Sequence, residues 1–204
     1  MPRLTSLTPD TLTEEMRKAY DAIISNPVTE NASPEREAVY GQATRANRAA
    51  IAGPMNIWLR SPGIARSASD IANFLRFKGS LTPRHTELVI LIVARHWGAP
   101  YAWVTHDKYG RATGLSDAAI DAIAAQDEPS QLESIDALDV SIWQFVIELL
   151  STKRVAAETY DSVADQLGEQ KTVELVSLIG YYSMIMMTLN AFEVAPPKGK
   201  TAPF

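Results

Sequence analysis

Two side chains that could move protons, Glu87 and His106, lie in one stretch of the sequence, from Leu81 to Gly114. An imidazole titrates near neutrality, so a histidine can both give and take a proton there. Glu87 stands just before an all-apolar run, Leu88 to Ala94, and a carboxylate in such surroundings needs a partner or a proton. If the two side chains meet, they could perform general acid–base chemistry, with Glu87 orienting the imidazole or relaying a proton through water.

Both residues also have a purely structural interpretation. A histidine on a partly apolar helix face is more often a satisfied structural residue than a catalytic one. Glu87 could instead form a buried ion pair with Arg84, one helical turn earlier, or with Arg95. The residues alone leave both interpretations open.

Two helices joined by a short turn are predicted to position the pair. Thr82 is a suitable N-cap, Pro83 suits the first helical position, and Gly98 suits the end of the first helix. The second helix is predicted to begin near Pro100. Because two antiparallel helices joined so tightly must pack together, the two candidate side chains are expected to face each other.

Four further side chains are candidates for substrate binding. Tyr101 offers a hydroxyl and Trp103 an apolar wall, although core packing alone would also explain the tryptophan. Asn56 could present an amide to a substrate or only stabilise its own turn. Arg84 could bind a carboxylate. His85, in the first turn of the same helix, is expected to be exposed.

The bulk composition excludes several classes of partner. The chain has 204 residues, of which 46% are hydrophobic and 21% are charged, as in an ordinary globular protein. Its net charge of −5 provides no basic surface for nucleic acid or for an anionic membrane. The N-terminus lacks the apolar core of a signal peptide, and no apolar run is judged long enough to span a membrane. We therefore expect a cytoplasmic protein that binds neither nucleic acid nor membrane.

The absence of cysteine is the most decisive count. It removes disulfides, thiolate metal sites, cysteine nucleophiles and any thiol peroxidase cycle. With only three histidines in the chain, a multi-histidine metal site would need nearly all of them. We expect no metal and no cofactor.

The rest of the chain predicts an all-α protein. An amphipathic helix is expected over residues 11–26 and a long surface arm over about 26–50, which could cross to another subunit. No stretch has a convincing strand pattern or a phosphate-binding loop. We predict one domain over residues 1–204, with an N-terminal helix and arm to about 52 and a core over about 53–194. Later helices are predicted at 62–79, 116–125, 135–150, 156–167 and 172–192, with a connector at 126–133.

The central stretch carries a family resemblance. Glu87, Ala99, Ala102 and His106 stand where the carboxymuconolactone decarboxylase and alkylhydroperoxidase-D-like (AhpD-like) family has Glu, Cys, Cys and His. The Tyr-Ala-Trp-x-x-His form, with Gly-Pro-Met-Asn-Ile-Trp upstream and Tyr-Tyr-Ser-Met-Ile-Met-Met downstream, resembles the cysteine-free, decarboxylase-like branch. The resemblance implies an AhpD-like orthogonal helical bundle that forms a homo-oligomer, a trimer or hexamer or else a dimer. It also implies a role in aromatic catabolism.

Three functional hypotheses follow from these residues and the resemblance. The first is a cofactor-free lyase that acts on a small carboxylated or lactone-like substrate, with His106 as acid and base. The second is the antioxidant peroxidase activity of the family, which the lack of cysteine disfavours. The third is a non-catalytic scaffold or small-ligand binder, for which Glu87 should be held in a salt bridge and no solvent-connected cavity should lie at His106.

Overall fold

The protein is helical throughout the part that the computed structural model describes, residues 2–26, 32–129 and 135–204. These residues form α-helices, one short 3-10 turn, two π-helical turns and the loops between them, with no strand. The predicted all-α fold class is therefore confirmed.

The chain forms two compact units. The first contains Met1–Gly79 and Met187–Ala195, and the second contains Ser80–Met186 and Pro196–Phe204. We predicted a single domain with an N-terminal helix and arm to about residue 52 and a core over about 53–194. The division into two compact units does not test that prediction.

The first unit is built from short helices. Its elements are the 3-10 turn Pro9–Thr11, α1 (Glu14–Ser25), α2 (Pro34–Arg36), a π-helical turn Glu37–Gly41, α3 (Gln42–Ala49), α4 (Pro54–Trp58), α5 (Pro62–Asn73) and a second π-helical turn Phe74–Lys78. The predicted amphipathic helix is α1, and the Thr13 side chain caps it by accepting from the Met16 N–H.

The predicted surface arm is wrong where the structure describes it, because residues 34–49 are helical. Residues 27–31 of that arm lie outside the described residues. Tyr40 is fully buried, with its ring 5.9 Å from the ring of Phe77. Arg48 is also buried and donates to the Ile23 carbonyl at 3.1 Å and to the Asn73 side chain. Long polar side chains can bury their stems and satisfy their donors at carbonyls, so a count of apolar residues underestimates such a segment.

The second unit carries the longer helices. They are α6 (Pro83–His96), α7 (Pro100–Ala112), α8 (Asp117–Ala125), α9 (Ala137–Thr152) and α10 (Ala157–Ala191), the last running into the first unit from Met187. Ser116 caps α8, as predicted. Part of the predicted connector, residues 130–133, lies outside the described residues.

Gly168 interrupts α10 with a φ of 77° and a ψ of 166°. The two predicted helices, 156–167 and 172–192, are therefore confirmed as separate stretches around one non-helical residue. A positive φ is accessible to glycine without the steric cost other residues meet.

Helix α10 contradicts the expectation that no apolar run reaches membrane-spanning length. One of its 18-residue windows has a mean hydropathy of 1.4, so by length and composition alone it could cross a membrane. Of that window, 56% is buried within the protein. The core helix of a soluble protein passes the same test, so this is weak evidence for a membrane span.

Helix α6 is the centre of the second unit. Every residue from Leu88 to Ala94 is buried, and α6 packs most extensively against α7 and α9. Gly98, with a φ of 54°, makes the turn into α7. At Gly110 the two helices approach so closely that a Cβ atom there would lie 2.9 Å from Cδ1 of Leu91.

Replacing Gly110 by alanine should lower stability although alanine favours helix. The added methyl group meets the fully buried Leu91, and overpacking of this kind costs about 1–3 kcal/mol. Gly180→Ala in α10 is the matched control, because its Cβ meets nothing within 4 Å and alanine gains about 1 kcal/mol in a helix. Urea unfolding of both variants measures the difference. Equal stability of the two would contradict the close approach.

Candidate acid–base site

The structure brings Glu87 and His106 into direct contact. Nδ1 of His106 lies 2.8 Å from Oε2 of Glu87, which is hydrogen-bonding distance. The glutamate has no exposed surface and the histidine is 7% exposed. The predicted convergence of acid and imidazole is thus present, while the catalytic roles of the two residues stay predictions.

Local signals in the sequence set the register of this contact. The Thr82 side chain accepts from the His85 N–H at 3.1 Å and fixes the start of α6. Pro100 occupies the first position of α7, just after the turn at Gly98. Each feature matches the prediction. Because both helix starts are fixed, the positions of the two functional side chains along their helices are fixed as well.

The electrostatics of the pair depend on the imidazole. Within the described part of the chain, Oε1 of Glu87 is buried without a hydrogen-bond partner. His106 is therefore the polar group that compensates this carboxylate. With Nδ1–H donated to Glu87, the second ring nitrogen, Nε2, carries the lone pair that can take a proton.

Tyrosine rings flank His106 edge-on. The ring of Tyr109 lies 5.7 Å from the imidazole and the ring of Tyr182 lies 5.4 Å from it. Tyr182 in turn meets Tyr181 at 5.5 Å. Tyr182 is not among the predicted site residues, because helical spacing explains its position as core and only the fold brings α10 beside α7.

Tyr101 and Trp103, the predicted pocket residues, also lie on α7. Burial raises the pKa of the Tyr101 phenol, so its hydroxyl keeps its proton around neutrality. Trp103 is buried and packs edge-on against Phe204, with ring centroids 5.1 Å apart. Their contact with a substrate stays a prediction.

Asn56, the third predicted binding residue, belongs to the first unit. Its amide accepts from the Leu7 N–H at 3.0 Å and donates to the carbonyls of Leu7 at 2.9 Å and Ile51 at 3.0 Å. The bond to Ile51 is the local, turn-stabilising kind that was predicted, and the two bonds to Leu7 in addition tie a segment distant in sequence to this turn. A substrate-binding role stays a prediction.

Arg84, the last candidate, pairs with Asp139 of α9. Its Nη2 and Nε atoms lie 2.6 and 3.0 Å from one carboxylate oxygen, and Nη1 donates to the Gly114 carbonyl. The other potential partner of Glu87, Arg95, donates from Nε to the Ala124 carbonyl at 2.6 Å. The acid of α6 is therefore partnered by His106, and not by either of these arginines.

The expectation that His85 is exposed is wrong. This residue is only 8% exposed, and its Nε2 atom lies 3.6 Å from Oδ1 of Asp139. The first turn of α6 faces α9, a tertiary contact that position within a helix cannot reveal. Asp139 is itself fully buried. Its contact with α6 was not predicted, because no local pattern in the sequence shows that the start of α9 packs against α6.

Metal ligands are not grouped in the described part of the chain. Within residues 2–26, 32–129 and 135–204, no group of three or more His, Asp or Glu side chains is placed to hold a metal ion.

The fold belongs to a recognisable class. Helices α6 and α7, joined by a tight turn and carrying a buried Glu–His pair, form part of an AhpD-like all-α bundle. One similar solved structure is that of an Agrobacterium tumefaciens protein of unknown function, described as a candidate antioxidant defence protein AhpD. The match has a TM-score of 0.62 and 15% identity and covers 72% of this chain and 99% of that chain. At this identity the likeness shows the fold alone.

Sequence comparison adds no assignment. No family model matches the chain, and no curated protein matches it.

Asp139→Asn should destabilise the protein by about 3 kcal/mol, because it removes the charge that compensates the largely buried Arg84. The midpoint of urea unfolding, followed by circular dichroism, measures the loss. Glu14→Gln is the control, since it breaks only the exposed pair with Lys18 and should leave the midpoint unchanged. An Asp139→Asn midpoint equal to that of the wild type would contradict a structural role for this pair.

Stability should also fall in mild acid because of His85. Burial, only partly opposed by Asp139, lowers the pKa of His85 below its usual value of 6.5. Below pH 6.5 the unfolded chain takes up a proton at His85 that the folded chain excludes. The contribution of His85 to stability is therefore fully present above that pH and is lost as the pH falls below it. Unfolding midpoints at pH 7.5 and pH 5.5 should differ less in His85→Gln than in the wild type. An unchanged difference would show that this histidine does not contribute.

Proposed function

We propose that this protein is a cofactor-free lyase of the carboxymuconolactone decarboxylase type. The observation that supports the proposal is the 2.8 Å contact between Glu87 and His106, both buried between consecutive helices. The proposed substrate is a small carboxylated or lactone-like molecule. We also propose that the protein is cytoplasmic and forms a homo-oligomer.

The proposed step is a proton transfer at Nε2 of His106. Loss of CO₂ leaves the electron pair of the broken C–C bond on the substrate, as a carbanion or enolate. The imidazolium donates its Nε2 proton to that carbon and becomes neutral, while Nδ1–H remains hydrogen-bonded to Glu87. The carboxylate stabilises the cationic form of the ring and fixes its orientation.

The antioxidant alternative has less support from this chain. A thiol peroxidase needs a thiolate to attack the peroxide, and the sequence contains no cysteine. The non-catalytic alternative predicted a Glu87 tied up in a salt bridge and no solvent-connected cavity at His106. Glu87 does pair with His106, so the lyase and the non-catalytic alternative differ in whether that imidazole reaches a substrate.

His106→Ala should lower decarboxylation by at least about 10²-fold, since positioned acid–base groups contribute about 10²–10⁴-fold. Glu87→Gln should keep the ring in place but stabilise its cation less, and should cause a smaller loss. Carbon dioxide release from 4-carboxymuconolactone measures the rate. Glu14→Gln, which breaks only an exposed ion pair, is the control and should keep wild-type activity.

Two results would contradict this function. One is undiminished CO₂ release from a folded His106→Ala protein. The other is thiol-dependent peroxide consumption above background by the wild type with no CO₂ release, which would favour the antioxidant alternative.

A further inference from the structure

A concave site lies in the second unit, at the C-terminal end of α6. It is a cleft of about 550 Å³, bordered by the end of α8, one side of α9 and the first turn of α10. Small-molecule sites in proteins typically have volumes of about 300–1,000 Å³. The cleft is thus large enough for a molecule with one or two rings.

This cleft is on another side of α6 from the acid–base pair. At 3.6 residues per turn, its lining residues Ile92 and His96 point about 140° and 180° away from Glu87 around the helix axis. Neither Glu87 nor His106 lines it. An inference about this cleft therefore does not depend on the proposed lyase activity.

Apolar side chains line a large part of the cleft. Ile92, Ile123 and Trp143 are buried, and Ile147 is 37% exposed. A flat hydrophobic ring would remove this surface from water, and an indole face also attracts a nearby cation. These residues favour a ligand with a hydrophobic body.

Carboxylates provide most of the charge around that lining. Asp127, Glu128 and Glu148 all belong to it. Hydrogen bonds from the Thr159 side chain and from the Ala156 N–H, at 2.9 Å, lower the pKa of Glu148 and keep it ionised. The carbonyl ends of α6 and α8 add negative partial charge to the same region.

Of the two basic side chains that line the cleft, one already has partners within the protein and the other is neutral. Arg95 lines it, but its Nε donates to the Ala124 carbonyl at 2.6 Å and its guanidinium lies 4.6 Å from the centre of the Phe204 ring. Burial, together with the nearby charge of Lys153, lowers the pKa of His96. That imidazole is therefore neutral at pH 7, and the carboxylates outnumber the remaining cations.

The geometry points to a binding site for a small organic cation, an amine carried on an aromatic or other hydrophobic ring. The ring packs against Ile92, Trp143 and Ile147, and the ammonium group pairs with the carboxylates of Asp127 and Glu128. Nothing in this site requires Glu87 or His106.

Calorimetric titration with a matched pair of ligands tests the assignment. Tryptamine and indole-3-propionate share one ring and differ in the sign of the charge. Tryptamine should bind saturably to the wild-type protein at pH 7 and at least about tenfold more tightly than the anion, because each ion pair lost or reversed changes affinity by up to about fivefold.

Variants locate the binding. Ile147→Arg places a long cation in the cleft and should abolish tryptamine binding, and Asp127→Asn combined with Glu128→Gln should weaken it about fivefold or more. Val173→Arg is the control, since that side chain is 66% exposed on α10 and does not line the cleft. It should bind tryptamine like the wild type.

Three outcomes would overturn the assignment. They are the absence of saturable tryptamine binding to the wild-type protein, binding of indole-3-propionate as tight as that of tryptamine, and unchanged tryptamine binding in a folded Ile147→Arg protein. Circular dichroism of each variant establishes that it is folded.

Discussion

A carboxylate with no exposed surface is the constraint on which the second unit depends. Removing Glu87 from water is costly unless a partner compensates its charge, and His106 is that partner at 2.8 Å. The contact requires α7 to lie close against α6, with the turn at Gly98 and the small residue Gly110 permitting that approach. The same geometry that satisfies the buried acid thus presents an imidazole whose other nitrogen can take part in proton transfer.

Helix α6 is held by two buried acids, Glu87 within it and Asp139 of α9. Asp139 pairs with Arg84 and also lies 3.6 Å from Nε2 of His85, and these contacts stabilise the packing of α6 against α9. Glu87 pairs with His106, whose ring has a second nitrogen, Nε2, outside that contact. This contact joins α6 to α7, as the contacts of Asp139 join α6 to α9.

The sequence predicted those parts of the site that have local signals. Thr82 and Pro100 mark helix starts by their own chemistry, and the tight turn between the helices required them to pack, so the convergence of Glu87 with its histidine could be expected. The burial of His85 could not be predicted from the sequence. It depends on Asp139, which is distant in sequence and comes close only in the fold. The helices at 34–49 were missed for a related reason. Tyr40 is their one large buried apolar side chain, and the other long side chains buried there are Arg36 and Arg48, a residue type that a hydropathy pattern assigns to solvent.

The positions where the resembled family has cysteines are part of the packed interior here. Ala99 and Ala102 are both buried, and Ala102 lies one turn before His106 on α7. A methyl group at these positions fills space but offers neither a nucleophile nor an electron pair for redox chemistry. The acid and the imidazole are thus present in a chain that contains no cysteine. Proton transfer is the chemistry that a carboxyl group and an imidazole can perform.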